Sequence, residues 1–319
     1  MANFVFIVSQ PRSGSTLLQS LVSNSEYVNT ASEPWLLLPF LSYARPDVQL
    51  ATYNSSLAKE GINEFVETYC DDEFFKGSLK AFFERVYSVL ANENVKYILD
   101  KTPRYYEILP LITEFFPDAK IIVLKRNPLS VLLSIMDSWN VRTFPELSFY
   151  ERDILNAPFL IQDFIEQNRG NPNVLECFYE KLTMDPAEEV QRIYKWLEIP
   201  YSPSILDYLT NKKMQGAMGD KVGFILHDKI VKGKPVEIEQ LDSFWKNFSR
   251  GYLAYLKPDF LQRYGDYRYN FEFYPTKAFN QFLFLNRVQY FKNKELNFIN
   301  LIKLFAYKIN TLFNSKYKY

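Results

Sequence analysis

Residues 4–18 read FVFIVSQPRSGSTLL. Phe4 to Val8 is a short apolar run rich in β-branched and aromatic residues, which predicts a fully buried strand. The run breaks at Pro11-Arg12-Ser13-Gly14, after which Leu17, Leu18, Leu21 and Val22 recur on one face of a helix. A strand, a tight loop and a helix with Ser15 and Thr16 in its first turn make a cradle for an anion. The free N–H groups of the helix start and the positive end of its dipole point at one place. Gly14 lets the backbone approach closely, Arg12 adds a charged fork, and the hydroxyls of Ser13, Ser15 and Thr16 add donors. The loop differs from the nucleoside-triphosphate pattern GxxxxGK(S/T). Ser15 follows Gly14 where that pattern has Lys, and no Gly stands five residues upstream.

A second anion grip is written farther along. Ile121 to Leu124 is another buried-strand run, followed by Lys125-Arg126-Asn127-Pro128 and a helical stretch from Leu129 to Trp139. Arg126 sits at the strand end and Ser134 eight residues later on that helix. The two motifs lie about 110 residues apart, each at the C-terminal end of a strand.

PRSGST followed by an apolar helix resembles the 5′-phosphosulfate loop of sulfotransferases, which take sulfate from 3′-phosphoadenosine 5′-phosphosulfate (PAPS). The FFPDAKIIVLKRNP block at residues 115–128 is similar to the segment with which this family holds the donor's 3′-phosphate. The resemblance assigns that grip to Arg126 and Ser134. The family form is typically Arg-Asp-Pro, and Asn127 here removes any charge role at the middle position. Ser32-Glu33-Pro34 resembles the Glu-Pro that faces the acceptor in bacterial, carbohydrate and tyrosyl-protein sulfotransferases. Asp100-Lys101-Thr102-Pro103-Arg104 matches the Lys-containing segment of the same relatives, and Phe178-Tyr179-Glu180-Lys181-Leu182 their Tyr-Glu-x-Leu block, which implies a place for Tyr179 near the donor nucleotide. The segment GAMGDKVGFILHDKIVKGK, residues 216–234, looks like the family's late Gly/Lys-rich loop and makes Lys221, Lys229 and Lys232 donor-binding candidates. A solvated surface loop is the plain alternative there. Matching motifs span roughly residues 1–200, or about 235 with this loop.

Expected strands at 4–9, 97–100, 120–124 and 174–179, each followed by a helical stretch, imply a parallel sheet. The expected fold is α/β: a P-loop-like central parallel sheet flanked by helices. Helical insertions are expected at about 36–95 and 140–170, and a helical tail at the C-terminus. Residues 1–274 form the sulfotransferase domain in this reading, and 275–319 a basic, aromatic tail. Asp185 before Pro186 and Glu188 predicts a helix start. Glu33 is expected to follow the cradle helix by about one turn. Phe82, Phe83, Val86, Tyr87 and Leu90 have helical spacing and are read as core. Phe144, Phe149, Tyr150 and Phe159 could stack on an acceptor or fill a core.

Sulfuryl transfer needs cations for the developing charge, a base for the acceptor's proton and rigid placement of both. Arg12, which cannot surrender its proton, suits the leaving phosphate. Lys101 could neutralise a sulfuryl oxygen or supply a proton, a plain salt bridge being its alternative. Glu33 is the expected base, ahead of His227, the chain's single histidine. One His and two distant Cys, Cys70 and Cys177, provide no metal-ligand cluster, so no metal is expected. The two Cys support no disulfide framework. A small-molecule kinase would need the triphosphate loop. A non-catalytic nucleotide-binding relative would be expected to have lost part of the set Arg12, Glu33, Lys101, Arg126 and Ser134.

Lys plus Arg balance Asp plus Glu at 37 each, so no global field argues for nucleic acid. The distribution is uneven. Residues 275–319 hold eight basic side chains and the single acid Glu295, against 29 basic and 36 acidic in residues 1–274. Phe298, Leu301, Ile302, Phe305, Ile309 and Leu312 recur at helical spacing in that tail. Such a helix could lie peripherally on an acidic membrane face, or pack on the domain or on a homodimer partner. No basic leader precedes the first strand and no apolar run reaches about 18 residues. The expectation is a cytoplasmic enzyme acting on a small-molecule or glycan acceptor.

Overall fold

The computed structural model describes residues 2–49, 53–207 and 238–284. Five strands, β1 (Asn3–Ser9), β2 (Val28–Thr30), β3 (Tyr97–Lys101), β4 (Lys120–Lys125) and β5 (Val174–Phe178), form one parallel sheet in the order β2-β3-β1-β4-β5. Side chains alternate across the pleat, so Val5 and Ile7 join Leu18, Leu21, Val22, Leu99, Ile122 and Tyr194 in one core. On the opposite face Phe4 and Phe6 pack against Phe116, at ring-centroid distances of 5.1 and 5.6 Å. Covering both faces is what demands a continuous apolar run instead of an alternating one.

Helices alternate with the strands. Helix α1 (Ser15–Ser23) follows β1; α2 (Leu37–Leu41), α3 (Ser55–Tyr69) and α4 (Asp72–Tyr87) fill the connection from β2 to β3; and α5 (Leu109–Phe115) leads to β4. Helices α6 (Pro128–Ser138), α7 (Phe144–Ser148), α8 (Glu151–Leu155) and α9 (Ala157–Gln167) lead to β5, after which come α10 (Tyr179–Met184) and α11 (Pro186–Leu197). Local sequence sets several starts. The Asn54 and Asp71 side chains accept from Leu57 N and Phe74 N, at 3.0 and 2.7 Å, and Asp185 accepts from Glu188 N at 3.0 Å.

Two expectations need correction. Strand β2 stands between the cradle helix and Glu33, so Glu33 does not follow that helix directly but arrives at the sheet's C-terminal edge from an edge strand. On α4 only Phe83 and Tyr87 are core; Phe82 and Val86 are 42% and 38% exposed.

The chain divides into two compact units, Met1–Glu237 with Leu256–Phe271, and Ile238–Tyr255 with Glu272–Tyr319. The sheet lies in the first. In the second, Phe248 meets Trp245, Phe279 and Phe282 edge-on at 5.2 to 5.4 Å, and Thr276 Oγ1 donates to the Asn247 carbonyl at 2.9 Å.

Candidate active site

Strand register assembles the site. Pairing of Ser9 with Leu124 puts the loop after β1 beside the loop after β4, and pairing of Lys125 with Phe178 puts Arg126 beside Tyr179. Ile7 pairs with Lys101 and Thr30 with Leu99, which brings Lys101 and Glu33 to the same end of the sheet. From β1 the chain runs to β2 and β3 on one side, then crosses to β4 and β5 on the other. The crevice between β1 and β4 is therefore the switch point where ligands of open parallel sheets bind.

The cradle is built from unusual backbone. Arg12 (φ 69°) and Gly14 (φ 87°) are both left-handed, a conformation that Gly adopts freely and other residues seldom do. Gly14 is also packed close: a Cβ there would sit 2.3 Å from the Tyr179 ring. Arg126 lies over the same ring at 4.2 Å and donates through Nη1 to the Arg12 carbonyl at 2.7 Å. Burial pushes the Arg126 guanidinium below its usual pKa. Arg12 Nε donates to Ser134 Oγ at 3.4 Å, and its guanidinium faces Trp139 at 5.9 Å, with Trp139 stacked on Tyr150 at 4.3 Å. The two grips expected from the sequence therefore touch each other. Ser13 Oγ and Arg126 Nε are buried there without a hydrogen-bond partner. Native proteins seldom leave such groups orphaned, and an anion satisfies both.

Asn127 has a structural task. Its Oδ1 accepts from Leu129 N and Ser130 N at 3.0 and 3.1 Å, capping α6, and from the Tyr269 hydroxyl at 2.9 Å. An amide oxygen serves as well as a carboxylate for these bonds. Asn127 N in turn donates to Glu180 Oε1 at 2.8 Å.

On the other side of β1, Lys101 Nζ donates to Glu33 Oε1 at 2.6 Å and to Thr16 Oγ1 at 3.3 Å. Trp35 Nε1 donates to Glu33 Oε2 at 3.3 Å, so both carboxylate oxygens are engaged. Lys101 is 1% exposed and the Glu33 side chain 14%. Thr16 thus faces Lys101, whereas Ser13 and Gly14 stay with the cradle.

Of the other aromatics, Phe159 packs on Phe260 at 4.5 Å and Phe149 is 84% exposed. Lys221, Lys229, Lys232, His227 and the tail beyond residue 284 lie outside the described residues. Trp35 and Trp139 belong to the surroundings of the site without having been singled out by sequence, and Asp100 stands in the matched segment around Lys101 without having been given a role. A Trp directly after Glu33-Pro34 was the one available signal. Among the described residues no group of three or more His, Cys, Asp or Glu is placed to hold a metal.

Residues 4–203 match the Sulfotransferase family, and the chain belongs to it. It is 28% identical over 206 residues to the nodulation protein NoeE of Sinorhizobium fredii, covering 59% of this chain and 48% of that one. It is 23% identical over 207 residues to protein-tyrosine sulfotransferase A of Caenorhabditis elegans, covering 64% and 52%. The chain thus spans about half the length of these relatives. Among solved structures, the sulfotransferase domain of the Synechococcus PCC 7002 olefin synthase superposes with a TM-score of 0.49 at 17% identity, over 90% of this chain and 96% of that one.

Proposed function

We propose that this chain transfers the sulfuryl group of 3′-phosphoadenosine 5′-phosphosulfate to a hydroxyl of a saccharide or small-molecule acceptor. The observation that carries the reading is the pair of orphaned, buried polar atoms, Ser13 Oγ and Arg126 Nε, in two loops held side by side by the sheet. One ligand with two phosphate groups answers both. Arg12, Ser13, Gly14, Ser15 and Thr16 would hold its 5′ side, and Arg126 and Ser134 its 3′-phosphate. Tyr179, wedged between Gly14 and Arg126, would line the nucleotide. Lys221, outside the described residues, would add a late contact.

The bound donor supplies an activated sulfuryl group and a phosphate leaving group. Arg12 stabilises the charge that gathers on that phosphate and gives up no proton. Lys101, within reach of Thr16, neutralises a sulfuryl oxygen, and its ion pair with Glu33 brings base and cation to one point. Glu33 receives the acceptor's proton as the new sulfur–oxygen bond forms.

Calorimetry with adenosine 3′,5′-bisphosphate in the absence of Mg²⁺ tests the donor. Binding is expected, and equal or tighter binding of ATP would overturn the reading in favour of a kinase. Transfer of labelled sulfate from PAPS into lysate fractions then identifies the acceptor.

A further inference from the structure

Strand β3 ends in two charged residues that, by the alternation of a strand, face opposite sides. Lys101 serves the α1 side. Asp100, 1% exposed, faces a set of hydroxyls. Thr102 Oγ1 donates to its Oδ1 at 2.9 Å, Tyr105 OH donates to its Oδ2 at 2.9 Å, and Tyr87, the last residue of α4, donates to Oδ2 as well. Each of these hydroxyls has one proton, and spending it on Asp100 turns a lone pair outward. Two of those lone pairs have takers. Trp35 N donates to Thr102 Oγ1 at 3.3 Å, and Leu37 N donates to Tyr105 OH at 2.9 Å. Trp35 and Leu37 lie two and four residues after Glu33, and Trp35 carries a left-handed backbone (φ 55°), strained for a bulky side chain. A loop in that state keeps its shape only if its surroundings hold it.

We infer that Asp100 is a positioning residue: through the hydroxyls of Thr102 and Tyr105 it pins the backbone at Trp35 and Leu37 and so fixes where the Glu33 carboxylate stands against Lys101. The inference rests on the reading of Glu33 as the base. A buried carboxylate is suited to this work because it accepts from three hydroxyls at once and so sets the direction of all of them. An amide offers one acceptor oxygen, and a hydroxyl facing its NH₂ must accept from it and turn its own proton elsewhere. The orientation that aimed a lone pair at the backbone N–H is then no longer fixed. Tyr87 joins the same carboxylate from α4, so the helical connection between β2 and β3 is tied to the loop that carries Glu33.

The test follows single amides by hydrogen–deuterium exchange in the full chain, beside adenosine 3′,5′-bisphosphate binding and sulfate release from PAPS with water as acceptor. Thr102→Val should speed exchange of the Trp35 amide about tenfold and leave Leu37 unchanged, Tyr105→Phe should do the reverse, and Thr102→Ser should restore the wild-type rate. Asp100→Asn, which keeps one acceptor oxygen, should speed exchange of at least one of the two amides, lower kcat about 100-fold and leave donor KM and bisphosphate affinity within about twofold, since a misplaced base affects only the chemical step. If Asp100→Asn does not fold, Thr102→Val and Tyr105→Phe decide. Unchanged protection of Trp35 and Leu37, or a Thr102→Ser variant that exchanges as fast as Thr102→Val, would overturn the inference. Wild-type protein that fails to bind the bisphosphate would overturn the donor reading alone, the exchange rates still deciding the role of Asp100.

Discussion

The two halves of the site are built on opposite plans. On the side proposed for the donor, Ser13 Oγ and Arg126 Nε are buried without partners, and the loop carries two left-handed residues and an aromatic ring packed on Gly14. On the side proposed for the acceptor, Glu33, Lys101, Trp35, Asp100, Thr102 and Tyr105 are bonded to one another, and Lys101 reaches Thr16 of the cradle helix. The difference fits the task proposed for each half. A phosphate is a large, fixed charge that recurs in every turnover, so donors can be left waiting for it. A proton must move, so the groups that move it need a resting arrangement that returns after each cycle.

The sharpest way to break this comparison is Glu33→Gln. Removing the base while keeping the shape should lower kcat by about 100-fold or more and leave adenosine 3′,5′-bisphosphate binding intact, as steady-state kinetics and calorimetry will show. Activity that survives Glu33→Gln yet disappears in His227→Ala would transfer the role to His227. A smaller effect is expected from the opposite half. Arg126→Ala removes a charge-assisted phosphate contact and should weaken the bisphosphate by about 1.5–3 kcal/mol while leaving the Glu33–Lys101 pair in place. Unchanged affinity would mean that the second grip is not one.

The smallest effect concerns pH. Burial pushes the Asp100 carboxyl up to about 6, against the hydrogen bonds of Tyr87, Tyr105 and Thr102 that pull it down. Between pH ~4 and about 6 the folded state keeps a proton that the unfolded chain, with an Asp pKa of about 3.9, has released, and above that range Asp100 is the carboxylate of the network. The sign follows: this group's contribution to stability is complete below pH ~4 and is lost as pH rises through about 6. Denaturant titrations between pH 4 and 7 should show the wild type losing stability relative to Asp100→Asn as pH rises. Equal slopes would place the ionisation elsewhere.

Much of the cradle's geometry was legible from sequence because a strand-loop-helix turn obeys local rules. Gly14, Arg12 and the hydroxyls stand within five residues, and the strands beneath announce themselves as apolar runs. What escaped is either short or distributed. Strand β2 is three residues, Val28, Asn29 and Thr30, too few to show a period and only one of them apolar. The Asp100 network joins residues 35, 37, 87, 102 and 105; Asp100 and Thr102 stand in a quoted motif, but their partners lie outside it, and only folding makes them neighbours. The packing of Tyr179 on Gly14 is of the same kind. The resemblance put Tyr179 near the nucleotide, but the need for a missing Cβ at Gly14 appears only when β5 lies beside β4.

The strand order also bears on synthesis. Strand β1 is the middle of the sheet, yet its partners β3 and β4 begin at residues 97 and 120, and β2 pairs only with β3. A ribosome adding about 5–20 residues per second leaves the Phe4–Val8 segment without a sheet partner for roughly 5–20 s. During that interval one of the chain's most apolar segments is an open template for any passing strand. Whatever shields it then, a chaperone or a transient collapse with α1, stands between this sequence and aggregation before any phosphate loop exists.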